Sequence, residues 1–338
     1  MRFVCSLLFA TSILSTAAAD PVADFFRGQT VTIIVGSDPG GGYDSYARPV
    51  SRHLGALIPG EPSVVVKYMP GAAGLVAANY LYNSAPRDGL WIGAPQRQIT
   101  VETLRGNAAA RYDPFKFNWL GSVTSETAVL LVDKNAPHRV PADVLAKPLI
   151  LANLGAGTDS EVEATAMRRL HGAPINLISG YSGTPEALLA VERGEAQGVH
   201  GISWSYVKTK KADWLAQGKI RLILQSGLKP HPDLKDLPSI FELAKTQQER
   251  DVWDLIVAPK EASRPYVAPP GVPAERGAAL REAFDKLMRD AAFLDDMAKL
   301  QLEVVPASGD DIVAMMKRLY AFPPETVLKM RAAIATGG

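Results

Sequence analysis

Three glycine-rich stretches hold the residues whose type and spacing suit chemistry: Pro39-Gly40-Gly41-Gly42-Tyr43-Asp44, Gly155-Ala156-Gly157-Thr158 and Gly180-Tyr181-Ser182-Gly183-Thr184. Each follows an apolar run and precedes a helical pattern. In an open α/β sheet, such strand-to-helix junctions lie at the crevice where ligands bind. A helix N-terminus offers unpaired N–H groups and about half a positive charge. Glycines let the backbone approach a ligand closely and turn its amides inward. The chemistry these loops suit is anion binding without Lys or Arg. One such loop taken alone is ordinarily a tight turn; three on one scaffold favour a site.

Other chemistries fit less well. A phosphate-cradling P-loop needs G-x-x-x-x-G-K-[ST], which is absent. Gly40 to Ser45 and Gly155 to Ser160 both fail G-x-G-x-x-G at the last position. Gly201-Ile202-Ser203-Trp204 would begin a hydrolase elbow only if Ser205 were glycine. A hydrolase would use Ser203 as nucleophile, with His231 as a possible base. The five histidines (His53, His138, His171, His200, His231) form no metal-ligand spacing, and a single cysteine excludes a Cys-cluster site. No metal and no cofactor are expected.

These loops need elements to hold them. Val31-Thr32-Ile33-Ile34-Val35 reads as a buried parallel strand before the first loop. Tyr46, Val50, Leu54, Leu57 and Ile58 then recur at helical spacing, with Pro49 near the start of that helix. Val64-Val65-Val66 leads through Pro70-Gly71-Ala72-Ala73-Gly74 to a second helix, and Pro86 to Gly89 turn into Leu90-Trp91-Ile92. The middle of the chain repeats the scheme. Leu149 to Ala152, Ile175 to Ile178 and Lys219 to Gln225 read as strands. Thr158-x-x-Glu161 reads as a capping box, and Pro185 as a first-turn proline. The C-terminal third is helical after the Pro269-Pro270-Gly271-Val272-Pro273 loop. This repetition predicts an open, mostly parallel α/β architecture with two similar lobes.

The chain of 338 residues is ample for two domains. With 36 basic and 35 acidic residues it has no general pull toward nucleic acid or anionic lipid. Its 47% hydrophobic and 21% charged content is that of a globular protein. Arg2, the apolar Phe3 to Ile13 and the small residues Ala17-Ala18-Ala19 before Asp20 read as a cleavable secretory signal over residues 1–19. Its removal takes away Cys5. No later stretch reaches the 18 apolar residues of a membrane span.

Together the motifs resemble one family. Val35-Gly36-Ser37-Asp38-Pro39-Gly40-Gly41-Gly42-Tyr43-Asp44 with Ala47-Arg48 resembles the first ligand loop of the tripartite tricarboxylate transporter substrate-binding proteins, the Bug receptor family. Met69 to Gly74 resembles their second glycine motif, and Ala85-Pro86-Arg87-Asp88-Gly89 their P-D-G turn with Arg87 inserted. Tyr112-Asp113-Pro114 with Phe117, Leu154 to Thr158, and Tyr181-Ser182-Gly183 resemble three further stretches. The order and spacing of these motifs carry the resemblance from about Thr30 to the C-terminus.

The resemblance implies a two-lobed periplasmic binding protein, a Venus flytrap, that closes on a small organic carboxylate and delivers it to integral-membrane transporter subunits. It implies no enzymatic activity, no nucleic-acid partner and a monomer. Lobe one would comprise residues 20–123 plus 253–338, and lobe two residues 124–252. The expected ligand contacts are Asp38, Pro39, Gly40, Gly41, Gly42 and Asp44 from lobe one. From lobe two they are Gly155, Gly157, Thr158, Tyr181, Ser182, Gly183, His200 and Gly201. Glycine amides and the Thr158 hydroxyl would donate to carboxylate oxygens, and Tyr181 would shape the pocket. Asp38, Gly180 and the His200-Gly201 pair depart from the family pattern at cleft positions. Two other readings keep the residues but change the output: a receptor feeding a membrane sensor kinase, and the secreted serine hydrolase above.

Overall fold

The computed structural model describes residues 20–181 and 183–335. The expected signal segment, residues 1–19, and Ser182 lie outside the described residues.

Among the described residues, strands gather into two sheets. The first holds β1 (Thr30–Val35), β2 (Ser63–Tyr68), β3 (Trp91–Ala94), β4 (Asn118–Ser122), β10 (Pro265–Ala268) and β11 (Ala307–Ser308), in the order β11-β4-β10-β3-β1-β2. The second holds β5 (Ala128–Asp133), β6 (Leu149–Ala152), β7 (Ile175–Ile178), β8 (Gly198–Ser203) and β9 (Ile220–Ser226), in the order β7-β6-β8-β5-β9. Burial explains the strand sequences. β1 is central and buried from Val31 to Val35, so it is almost wholly apolar. β2 is an edge strand whose burial alternates, and it carries Ser63 and Lys67 among its valines.

Both sheets are mixed rather than mostly parallel. β1 pairs in parallel with β2 and β3, and β6 with β7 and β8. β10 and β11 in the first sheet, and β5 in the second, run antiparallel to their neighbours. The cause is the crossing between lobes. The chain leaves the first sheet through residues 123–127 and returns through 260–264, and the two crossings hydrogen-bond to each other. Val123 N–H donates to the Arg264 carbonyl (3.1 Å), Ser263 N–H to Thr124 (3.0 Å) and Glu126 N–H to Lys260 (3.0 Å). A chain returning beside its own exit must run antiparallel to it.

Helices cover both sheets. Gly42–Leu54, Ala274–Leu287 and Ala291–Lys299 enclose one face of the first sheet around Val50, Leu54, Phe284 and Phe293. On its other face the Pro324–Ile334 helix packs against Asp159–His171 and Gln247–Val257, so one apolar core runs from lobe to lobe. Trp119 and Trp253 are fully buried. Pro49 lies in the middle of the 13-residue Gly42–Leu54 helix, not near its start, because the helix begins at the glycine loop itself.

Candidate functional site

The carboxyl ends of β1, β2 and β3 build the lobe-one side of the cleft. β1 runs through Gly36 to Gly41 into the Gly42–Leu54 helix, whose N-cap is Gly41. Asp38, Pro39, Gly40, Gly41 and Gly42 are exposed, but Asp44 is 2% exposed. Its carboxylate accepts from the Gly40 N–H (2.7 Å), the Tyr68 hydroxyl (2.6 Å) and Arg48 Nε (2.9 Å). Burial pushes this carboxyl up, but the hydrogen bonds from Tyr68, Gly40 and Arg48 prevail and hold it below the usual range. Asp44 therefore folds the loop onto the helix, and both it and the Gly40 amide are committed to each other.

Asp44→Ala strands three donors, one of them a backbone N–H. We expect a loss of about 1–3 kcal/mol at pH 7, read as a lowered melting temperature. A depressed carboxylate contributes stability that is present above its unfolded value, about 3.9, and lost as pH falls through the lower folded value. The gap between wild type and variant should therefore close in melts run below pH 4.

β2 ends in a strained loop. Gly71, Ala72, Ala73 and Gly74 all have positive φ (128°, 47°, 50° and 87°). Two successive alanines in the left-handed region cost backbone energy, and such strain concentrates at ligand sites. After β3, Gln96, Arg97 and Gln98 enter the cleft. The Arg97 N–H donates to the Tyr43 hydroxyl (2.9 Å).

Lobe two answers with the carboxyl ends of β6, β7 and β8. Asn153 Oδ1 accepts from the Ser160 hydroxyl (2.8 Å) and the Gly155 N–H (3.2 Å), which curls the loop under the Asp159–His171 helix. The expected capping box does not close. The Thr158 hydroxyl donates to the Gly155 carbonyl (2.6 Å), and Glu161 reaches past the cap to the Gly157 N–H (2.8 Å). Gly157, with φ 76°, turns that N–H toward the helix. A methyl group on Gly157 would lie 3.5 Å from the Ala73 methyl, so the glycine loops of the two lobes meet.

Other expected contacts are placed differently. Tyr181 is half-buried, and its hydroxyl donates to Glu195 (3.5 Å). Gly183 caps the Thr184–Glu192 helix, which carries Pro185 in its first turn. His200 is fully buried in β8, with Nε2 2.8 Å from Glu163, so it does not face the cleft. Gly201 is required by packing: its φ is 80°, and a methyl group there would lie 2.7 Å from the Ser160 nitrogen.

Between the loops lies a buried ionic cluster. Arg97 pairs with Asp159, and Gln98 Nε2 donates to the other Asp159 oxygen (3.2 Å). Lys260 pairs with Glu163, lies 3.2 Å from Asp159 and donates to the Ser226 hydroxyl (3.2 Å). Arg264 pairs with Glu126 (2.9 Å) and stacks over the Tyr43 and Tyr46 rings at 4.6 and 5.1 Å. Three cations thus meet three carboxylates. Burial pushes the Asp159 and Glu163 carboxyls up, but the neighbouring cations, Arg97 and Lys260 for Asp159 and Lys260 for Glu163, hold both below the usual range. Among the buried side-chain atoms without a partner are three on residues of this cluster: Arg97 Nε, Gln98 Oε1 and Arg264 Nε. Their residues are 9%, 5% and 8% exposed.

No family model matches the chain. A UPF0065 protein encoded in the gbd 5′ region of Cupriavidus necator is 25% identical over 96% of this chain and 93% of its own length. The periplasmic binding protein BugD superposes with a TM-score of 0.67 at 21% identity, covering 90% of this chain and 98% of BugD. MatC from Rhodopseudomonas palustris, solved with bound malate, gives 0.64 at 18% identity over 91% of this chain and 99% of MatC. A further R. palustris protein, solved with adipate, gives 0.65 at 20% identity over 90% and 97%. The fold is that of the TctC/Bug receptors.

In this TctC/Bug fold the ionic cluster is what sequence reasoning missed. Arg97 stands just past the carboxyl end of β3, where the rule that singled out the glycine loops also applies. Lys260 and Arg264 had no comparable signal, since only the hinge crossing brings them in. Ser203 lacks the partners of a nucleophile: its hydroxyl donates to Glu126 (2.9 Å) and meets Ser205 (2.8 Å). His231 is occupied as well. Its Nδ1 accepts the Asp233 N–H (3.0 Å), which leaves the ring proton on Nε2 facing Glu303. That tautomer suits an ion-pair cluster with Lys208, which bridges Asp233 and Glu303, and not a metal. A cavity of about 630 Å³ opens on the hinge side, lined by Thr127, Gly227, Ile312 and Met315, and reaches Glu126 and Lys260 from behind.

Proposed function

We propose that this chain is a periplasmic receptor for a small organic carboxylate, held between its lobes and delivered to a tripartite tricarboxylate-type membrane transporter. Lobe one takes residues 20–123 and 253–338, lobe two residues 124–252, and the segment 1–19 directs export. One observation carries the reading. Two helices of 13 residues, one from each sheet and capped by Gly41 and Thr158, start at glycine loops; Gly157 approaches Ala73, Gly42 approaches Arg264, and the buried Nε donors of Arg97 and Arg264 lack acceptors. Helix N-termini and guanidinium groups both favour carboxylate oxygens. MatC was solved with malate and the second R. palustris protein with adipate, and both ligands are small organic carboxylates. Neither Ser203 nor His231 is arranged for catalysis, so the reading is a binding role and not an enzyme.

A melting screen of protein stripped by unfolding and refolding tests this. A ligand at about 100 times its dissociation constant adds roughly 2.7 kcal/mol. That raises the melting temperature by about 4 °C for a chain of this size. A panel of mono-, di- and tricarboxylates, aromatic acids and amino acids should give such a shift for one acid class. No shift from any of them would overturn the reading.

A further inference from the structure

We propose that Asp159 occupies, with its own carboxylate, the place a ligand's second carboxylate would take, so that the cleft selects a monocarboxylate bearing a hydroxyl or amine over a dicarboxylate. The inference rests on the carboxylate-receptor reading above and names the ligand class within it.

Asp159 is the first residue of its helix in lobe two, yet its partners lie across the cleft. Arg97 and Gln98 follow β3 of lobe one, and Lys260 belongs to the hinge. A cation pair that would otherwise draw a ligand carboxylate is already satisfied from within the chain. The charge count in the buried cluster agrees. Arg97, Lys260 and Arg264 balance Glu126, Asp159 and Glu163, and each cation already faces a carboxylate. One incoming carboxylate is met by the open helix N-termini and the unpaired Nε atoms of Arg97 and Arg264. A second finds no uncommitted cation in this cluster, and a buried charge without a partner is costly. The unpaired Gln98 Oε1 asks for something different. It accepts and cannot donate, so it is satisfied by a ligand O–H or N–H and left stranded by a carboxylate.

Matched acids test the inference: butyrate against succinate, and lactate against malate, titrated calorimetrically into ligand-stripped wild type and Asp159→Asn. Wild type should bind lactate at least tenfold more tightly than malate, and lactate more tightly than unsubstituted propionate. Asp159→Asn releases Arg97 and Lys260, so malate and succinate should gain at least tenfold relative to their monocarboxylate partners. Wild type binding malate or succinate as tightly as the matched monocarboxylate overturns the inference and leaves the receptor reading standing. Failure of every acid in the panel to bind wild type overturns both. Should Asp159→Asn not fold, Gln98→Leu replaces it. That variant should lose the preference for lactate over propionate; an unchanged preference would overturn the donor requirement.

Discussion

Lys260→Met should lower the stability of the protein by about 3–5 kcal/mol, the cost of removing one partner from a buried ion pair. For a chain of this size that is a fall of roughly 4–7 °C in melting temperature. Lys260 is 2% exposed, and its amine faces Glu163, itself fully buried, together with Asp159 and the Ser226 hydroxyl. Methionine keeps the length and apolar volume of the side chain, so the loss isolates the charge. Glu163 is left with His200 alone. Adding Glu163→Gln should recover much of the loss, because the stranded charge goes with it and neighbouring sites do not add. A single variant melting within about 2 °C of wild type would mean that the lysine is solvated and that the cluster does not tie the lobes together.

The pH dependence has a definite sign. In the wild type the cations hold Asp159 and Glu163 below their unfolded values, despite burial. Their contribution is therefore present above about pH 4 and lost as pH falls through the folded-state values. In Lys260→Met the balance at Glu163 reverses, since burial now acts without the lysine and raises the carboxyl. A raised carboxyl destabilises above its unfolded value, about 4.3, and stops doing so below it. Melts taken from pH 7 down to about pH 4.5 should show the variant approaching the wild type. A gap that stays constant over that range would place the loss in packing.

The two classes of site residue differ in how far the sequence reveals them. The glycine loops were legible because strand, loop and helix are contiguous, and a ligand rule applies to the junction itself. The ionic cluster was not, because its members are far apart: Arg97 and Asp159 are separated by 62 positions, and Glu163 and Lys260 by 97. Nothing local distinguishes Lys260 from a solvated lysine. Local patterns also misled where tertiary contacts competed. Thr158 and Glu161 have capping-box spacing, yet a left-handed Gly157 offers Glu161 a nearer donor. Asp44 stands in a ligand-like loop, yet Tyr68 and Arg48 take its oxygens. The alternation of strand and helix foretold two α/β lobes, but the antiparallel strands follow from where the chain crosses between them, which no strand pattern records.

Gly201 separates packing from recognition most sharply, because sequence and structure assign it different work. Gly201→Ala places a residue with φ 80° in the left-handed region, at about 1–2 kcal/mol. Its methyl group would sit 2.7 Å from the Ser160 nitrogen and 3.0 Å from the Asp159 carbonyl carbon, both backbone atoms that cannot step aside. Overpacking of this kind adds about 1–3 kcal/mol, so the expected loss is about 2–5 kcal/mol. The relief available is a shift of the first turn of the Asp159–His171 helix, which displaces the N-terminal amides proposed to receive the ligand's carboxylate. Carboxylate affinity should then fall at least tenfold together with the melting temperature. Gly155→Ala supplies the contrast: its φ is 111°, but no atom lies within 4 Å of the new methyl, so it should incur the conformational term alone. If Gly201→Ala instead melts like the wild type and only binding is lost, the clash is absent and Gly201 meets the ligand directly, as the glycine pattern of the sequence suggested. If both fall together and Gly155→Ala falls by less, then Gly201 is the wall against which the Asp159–His171 helix is set.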